Sequence, residues 1–196
     1  MPIIAGRASA AYGAGFAAVT TVPYAGPFGD YDSLATVTVP SGGLATFTFA
    51  GIPTGYKHLQ LRGTSLSASP NNAVGLRFNS DSTNNYIQHG MEGNGTGGGG
   101  VAGYSSGATS LMAAGYTGDA TYPSSFVCDI LDYSSNTKTK VSRSLTGNDA
   151  NSTGPRYVAL LSSLYNSTNP ILSITVFHGA SINFNEHSQF ALYGVK

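Results

Sequence analysis

The sequence has no tryptophan, a single cysteine and very little charge. Lys and Arg together number nine, as do Asp and Glu, so charged residues make up 9% of the 196 and the formal net charge is zero. A soluble domain ordinarily carries about a quarter charged residues. Sparse, balanced charge steers partners weakly and argues against nucleic acid, whose binders show a basic stripe. A lone cysteine cannot build a disulfide framework. Cys128 sits in the apolar run Phe126-Val127-Cys128, which predicts a buried, inert thiol. No apolar run approaches the ~18–20 residues of a membrane-spanning helix. The first residues lack the charged and apolar regions of a secretory signal. The expected product is therefore soluble and made in the cytosol, with no membrane partner.

Gly is abundant at 26 copies, and 12 Tyr and 9 Phe supply enough aromatic surface for a core. Strand patterning dominates. In Leu44–Phe49 the two phenylalanines share one face, and in Tyr56–Arg62 Leu59 and Leu61 share another. With Ile52-Pro53-Thr54-Gly55 between them, the two runs predict a β-hairpin. Further strands are expected at 34–39, 74–79, 86–91, 125–133, 138–145, 156–161, 171–177 and 189–195, with 110–114 undecided between strand and helical turn. Residues 92–107 read as a long Gly-rich loop. About ten short strands without an amphipathic helix predict an all-β fold. The expected architecture is an antiparallel two-sheet sandwich, jelly-roll-like, over residues 30–196. Residues 1–29 are rich in Ala, Gly and Pro and cannot bury much alone. They are expected to form an extended N-terminal docking arm whose larger groups are Arg7, Tyr12 and Phe16.

The motifs that could carry chemistry are weak. Gly103-Tyr104-Ser105-Ser106-Gly107 spells the nucleophile-elbow pattern, but no buried strand leads into it and no helix follows. Gly93-x-Gly95-x-x-Gly98 spells a dinucleotide fingerprint without the βαβ unit that gives it meaning. His58, His89, His178 and His187 lack metal-ligand spacing. The polar run Asn79–Asn85 places oxygen ligands around Asp81 but lacks the glycine and closing glutamate of a calcium loop. Lys138, Lys140 and Arg143 read as a solvated strand face. No catalytic, cofactor or metal residue is assigned, and the chain is expected not to be an enzyme. Tyr86, Tyr104, Tyr116, Tyr122 and Tyr165 fall in or near expected loops, where Tyr with Ser, Asn and Gly makes adaptable contacts. Asn94 and Tyr104 mark the expected surface contact loop.

Three stretches carry a more specific likeness. The run Phe47–Gly63, the segment Arg77–Asp81 with Asn85-Tyr86, and the ending Phe190–Lys196 together resemble a family of small virion structural proteins of tailed phages of marine bacteria and cyanobacteria. Tyr12-Gly13-Ala14-Gly15-Phe16 is similar to their short N-terminal segment. The likeness is scattered over roughly residues 31–196, and its motifs are structural. It implies a virion protein without a cofactor, made in the host cytoplasm, with other virion proteins (major capsid or tail) as partners and a homo-oligomeric form, of which a trimer is one candidate. A capsid decoration, or cement, protein docking through its arm is the first expectation. A tail-fibre or receptor-binding protein touching host glycans is the alternative, and a free carbohydrate-binding or hydrolytic sandwich is the second.

Overall fold

The computed structural model describes residues 19–21, 30–93, 101–108, 110–149 and 156–196, with side chains omitted at 19–21, 101–106 and 111–113. The strands are β1 (Val19–Thr21), β2 (Tyr31–Thr38), β3 (Thr46–Ala50), β4 (His58–Ser65), β5 (Ala73–Phe78), β6 (Tyr86–Gly93), β7 (Val101–Ala108), β8 (Leu111–Tyr116), β9 (Ser124–Leu131), β10 (Lys140–Asn148), β11 (Tyr157–Tyr165), β12 (Ser173–His178) and β13 (Gln189–Val195). No helix occurs among the described residues. All strand pairs are antiparallel and form two sheets, β1-β2-β13-β4-β9-β10-β11-β6-β7 and β3-β12-β5-β8.

The expected sandwich is what forms. Its kernel is eight strands, β2-β13-β4-β9 facing β3-β12-β5-β8. The last two strands insert between earlier ones, β13 between β2 and β4 and β12 between β3 and β5. That interleaving makes the fold jelly-roll-like. Alternation drives it. Phe47 and Phe49 from β3, Leu76 and Phe78 from β5, and Ile174 and Val176 from β12 point inward from the small sheet. Leu59, Leu61, Cys128, Ile130, Phe190 and Leu192 meet them from the large one. The rings of Phe47 and Phe190 stand 4.9 Å apart across the gap. Gly63 is small because its neighbour fills the space: a Cβ there would lie 2.3 Å from the Phe126 ring and 2.9 Å from Phe190. Gly63→Val is expected to cost ~1–3 kcal/mol by overpacking, read as a lower urea midpoint with unchanged slope.

Three expectations are corrected. Runs 44–49 and 56–62 are strands, but β3 and β4 lie in different sheets and do not form a hairpin. Both bury an apolar face in the one core, from opposite sheets. Residues 92–107 are not one long loop, because β6 runs to Gly93 and β7 begins at Val101, pairing antiparallel. Lys140 is not solvated. It is buried, and its Nζ donates to the carbonyls of Ser135, Lys138 and Thr168 at 2.7, 2.7 and 2.8 Å and to Ser167 at 3.4 Å. Arg143, three residues on, faces outward and is exposed.

Within the segment expected as an arm, Val19–Thr21 forms the edge strand beside β2. Arg7, Tyr12 and Phe16 lie outside the described residues.

Candidate functional site: the outer face of the large sheet

Two hairpins, β6–β7 and β10–β11, extend the large sheet beyond the eight-stranded kernel, and β10 inverts its polarity. On the kernel strands many outward residues are polar, among them Thr38, Gln189, Gln60, Arg62, Thr64, Ser125 and Asp129, while Val127 and Leu131 of β9 are apolar. On β10 the inward positions are Lys140, Ser142, Ser144, Thr146 and Asn148, all buried. Their outward neighbours are Val141, Arg143, Leu145 and Gly147. β11 turns Val158, Leu160 and Leu164 outward, and β6 turns Ile87 and Met91 outward. Sheet register then lines these side chains up. Val127, Leu145, Leu160 and Met91 are successive cross-strand partners over β9, β10, β11 and β6. Leu145, Leu160, Met91 and the neighbouring Val158 are 51–61% exposed. Adjacent strands lie ~4.8 Å apart, so the row is a continuous aliphatic stripe. Leu131, Val141, Leu164 and Ile87 form a second apolar row. Between the rows run Asp129, Arg143, Ser162 and His89.

Toward the kernel the same face is hollowed. A trough of about 450 Å³ is lined by Gln60, Arg62, Thr64, Ser125, Gln189 and Tyr193, among others. A second, of about 410 Å³, adjoins it at Ser125 and Val127 and reaches Leu145 and Val158. The floor follows from side-chain size, since Thr64, Ser125 and Gly147 are consecutive partners in one register row. Arg62 stands at the wall and is held from three directions. Its Nε donates to Gln60 Oε1 at 2.5 Å, and Gln60 Nε2 donates to Asp129 Oδ1 at 2.7 Å. Its guanidinium lies 4.7 Å from the Tyr193 ring centroid and 5.3 Å from that of Tyr31.

Asp81, Tyr86, Tyr165 and Tyr116 have structural partners. Asp81 closes its own loop: its carboxylate accepts from Thr83 N and Oγ1, Asn85 Nδ2 and Tyr165 OH at 2.5–2.9 Å. The bonds from Thr83 and Asn85 hold its pKa far below the ordinary carboxylate range. All four contacts, from three residues, are donors, so this is a polar strand connection. Asp81→Asn is expected to lose ~1–2 kcal/mol, because a neutral amide accepts more weakly from the same four donors. Chemical denaturation checks this. Tyr86 and Tyr165 are not loop contacts but buried, stacked rings 4.9 Å apart, both raised in pKa by burial. Tyr116 is on β8, and burial and its bond to Glu92 push it up to about 12. Tyr122 remains 39% exposed. Tyr104 is on β7 opposite His89, a strand position, and Ser105 lies on that strand opposite Gln88 with no strand-to-helix turn for an elbow. Asn94 lies outside the described residues. Burial pushes Cys128 up to about 12.

Sequence reasoning missed one pair. Ser67 Oγ and His178 Nε2 are 2.8 Å apart, both buried. His178 Nδ1 accepts from Ala180 N at 3.1 Å, so in the neutral ring Nε2 carries the proton and donates to Ser67. That is opposite to a base accepting a serine proton, and no carboxylate orients the ring. Burial lowers its pKa. Among the described residues no group of three or more His, Cys, Asp or Glu could hold a metal ion. No protein-family model, curated protein or solved structure matches this chain.

Proposed function

We propose that the chain is a non-enzymatic structural protein of a phage particle surface, a jelly-roll-like unit of the decoration type that joins a larger assembly. The observation that carries the assembly role is the aliphatic stripe Val127-Leu145-Leu160-Met91 on the outer face. Large exposed apolar patches on soluble domains mark contact surfaces. The sequence likeness to virion proteins supplies the particle. The favoured occupant is another virion protein, not a second copy of this chain. Arg62 and Arg143 against the single Asp129 leave this part of the outer face net positive, which disfavours a face-to-face pair of copies.

The test is a Leu145→Glu/Leu160→Glu double variant supplied in place of wild type during particle assembly. Both residues are surface positions, so the variant is expected to keep its unfolding midpoint. Its occupancy in purified particles is expected to fall by about tenfold or more, as buried carboxylates oppose a desolvated contact. Unchanged occupancy would overturn the reading. Concentration-dependent trimerisation of the isolated protein, lost in the variant, would assign the stripe to copies of this chain instead.

A second reading, a tail-located protein that touches the host, is favoured by the Arg62 trough. The trough's ligand is a separate question from the particle address.

A further inference from the structure

We propose that the trough beside Arg62 is a binding site for an acidic saccharide, a sugar chain carrying carboxylate or sulfate groups, with Arg62 as its anion clamp. The argument begins with what the arginine has left to give. A guanidinium has five N–H donors. Arg62 spends Nε on Gln60. Among the described residues its four Nη hydrogens have no hydrogen-bond acceptor and it forms no ion pair. These two nitrogens form the planar edge that matches a carboxylate or sulfate with two parallel bonds.

The arginine is also held before any ligand arrives. Tyr193 and Tyr31 lie near its guanidinium, and the Arg62–Gln60–Asp129 relay fixes its rotation. A long side chain loses rotamer entropy when it binds, and here much of that loss is already incurred on folding. Asp129 is one bond removed, turned to Gln60, so the exposed end of the relay is cationic.

The rest of the trough selects the scaffold that carries the anion. Thr64 and Ser125 present short hydroxyl side chains on the floor, Gln189 lies in register beside Thr64, and Val127 and Ala191 also line the trough. Hydroxyls and amides both donate and accept, which suits a polyol more than an aliphatic peptide side chain. Tyr193 supplies an aromatic wall. The adjoining hollow is lined by Val127, Leu145 and Val158 of the aliphatic patch, so the saccharide contacts are assigned to the Arg62 trough alone. This inference does not depend on the particle assignment, and it is read on the isolated protein.

The experiment is calorimetric titration of the full chain with four defined probes: an oligogalacturonate, a sulfated galactan fragment, the neutral galactan fragment of the same length, and hexaglutamate. One or both acidic saccharides are expected to bind at least ~10-fold more tightly than the neutral one, as expected for a charge-assisted bidentate pair. The carboxylate and sulfate arms tell which anion the site prefers. Arg62→Ala is expected to weaken that binding by roughly 10–100-fold. Arg62→Lys is expected to weaken it too, since a point charge cannot make the two parallel bonds. Thr64→Trp fills the floor while leaving Arg62 in place, and is expected to abolish binding with the unfolding midpoint unchanged. The proposal is overturned if neither acidic saccharide binds, if the neutral one binds equally well, or if Arg62→Ala binds as wild type. Equal affinity for hexaglutamate would overturn the saccharide assignment and make the site one for acidic peptides.

Discussion

Replacing Lys140 with methionine is expected to remove about 3–5 kcal/mol of folding stability, which is a large part of the ~5–15 kcal/mol that a domain has. The methylene stem can be replaced by a side chain of similar length, so packing is nearly conserved. The ammonium cannot. Its four acceptors are main-chain carbonyls from two separate connections, residues 135 and 138 between β9 and β10 and residues 167 and 168 between β11 and β12. One charged group thus ties both turns at that end of the sheet extension. Without it the carbonyls lose their shared donor, and each one left dry costs ~1–3 kcal/mol. Water reaching the outermost of them keeps the total below the full sum. Burial lowers the lysine's pKa, while four carbonyl dipoles favour its charged form. Urea unfolding of Lys140→Met measures the loss directly. A change below ~1 kcal/mol would mean that the turns hold themselves.

Stability is also expected to fall as pH drops through the histidine range, and His178 is the reason. The ring is buried, bonded to Ser67 and Ala180 and 5.3 Å from the Phe184 ring centroid, so charging it in the folded state is unfavourable. Its folded pKa lies below the ordinary 6.5, with burial as the cause. In the unfolded chain the ring takes a proton near pH 6.5. Between the depressed folded value and 6.5 the unfolded state therefore binds more protons. The contribution is fully present above 6.5 and is lost as pH falls through that window. One proton sets a limiting slope of ~1.4 kcal/mol per pH unit. Asp81 acts lower, since its folded pKa is depressed below 3.8 and its contribution goes only in strong acid. Urea midpoints taken between pH 7 and 5 for wild type and His178→Gln separate the two. The variant is expected to start less stable and to show a flatter dependence. An unchanged slope would remove His178 as the source.

What could be read from the sequence, and what could not, follows from the range of each signal. Alternation is local, and it placed β13 at Gln189–Val195 and the inward residues of β3, β4 and β5 correctly. Pairing is not local. Phe47 and Leu59 each mark a buried face, yet nothing in the pattern says whether two such faces share a sheet or oppose each other. The β6–β7 hairpin was hidden because glycine and serine carry little strand signal. Lys140 looked solvated because its partners are carbonyls, which every residue has and no sequence advertises. The same holds for the candidate site. Arg62, Asp129 and Tyr193 are brought together only by the order β13-β4-β9. The stripe was legible in part, as Leu145, Leu160 and Met91 are apolar, but alternation assigns such residues to the core by default. Only the polarity of their opposite faces, Ser142, Ser144 and Ser163 among them, shows the inversion, and with hindsight the serine alternation on β10 was the available signal.

The most direct test of the proposed particle role is a density map of intact phage particles assembled with this chain, at a resolution that traces side chains. The account predicts a jelly-roll-like unit on the capsid lattice, with Leu145, Leu160 and Met91 against a different virion protein. Density confined to the tail would move the protein to the receptor-contact reading. Absence from particles, or a stripe left facing solvent within them, would contradict the account.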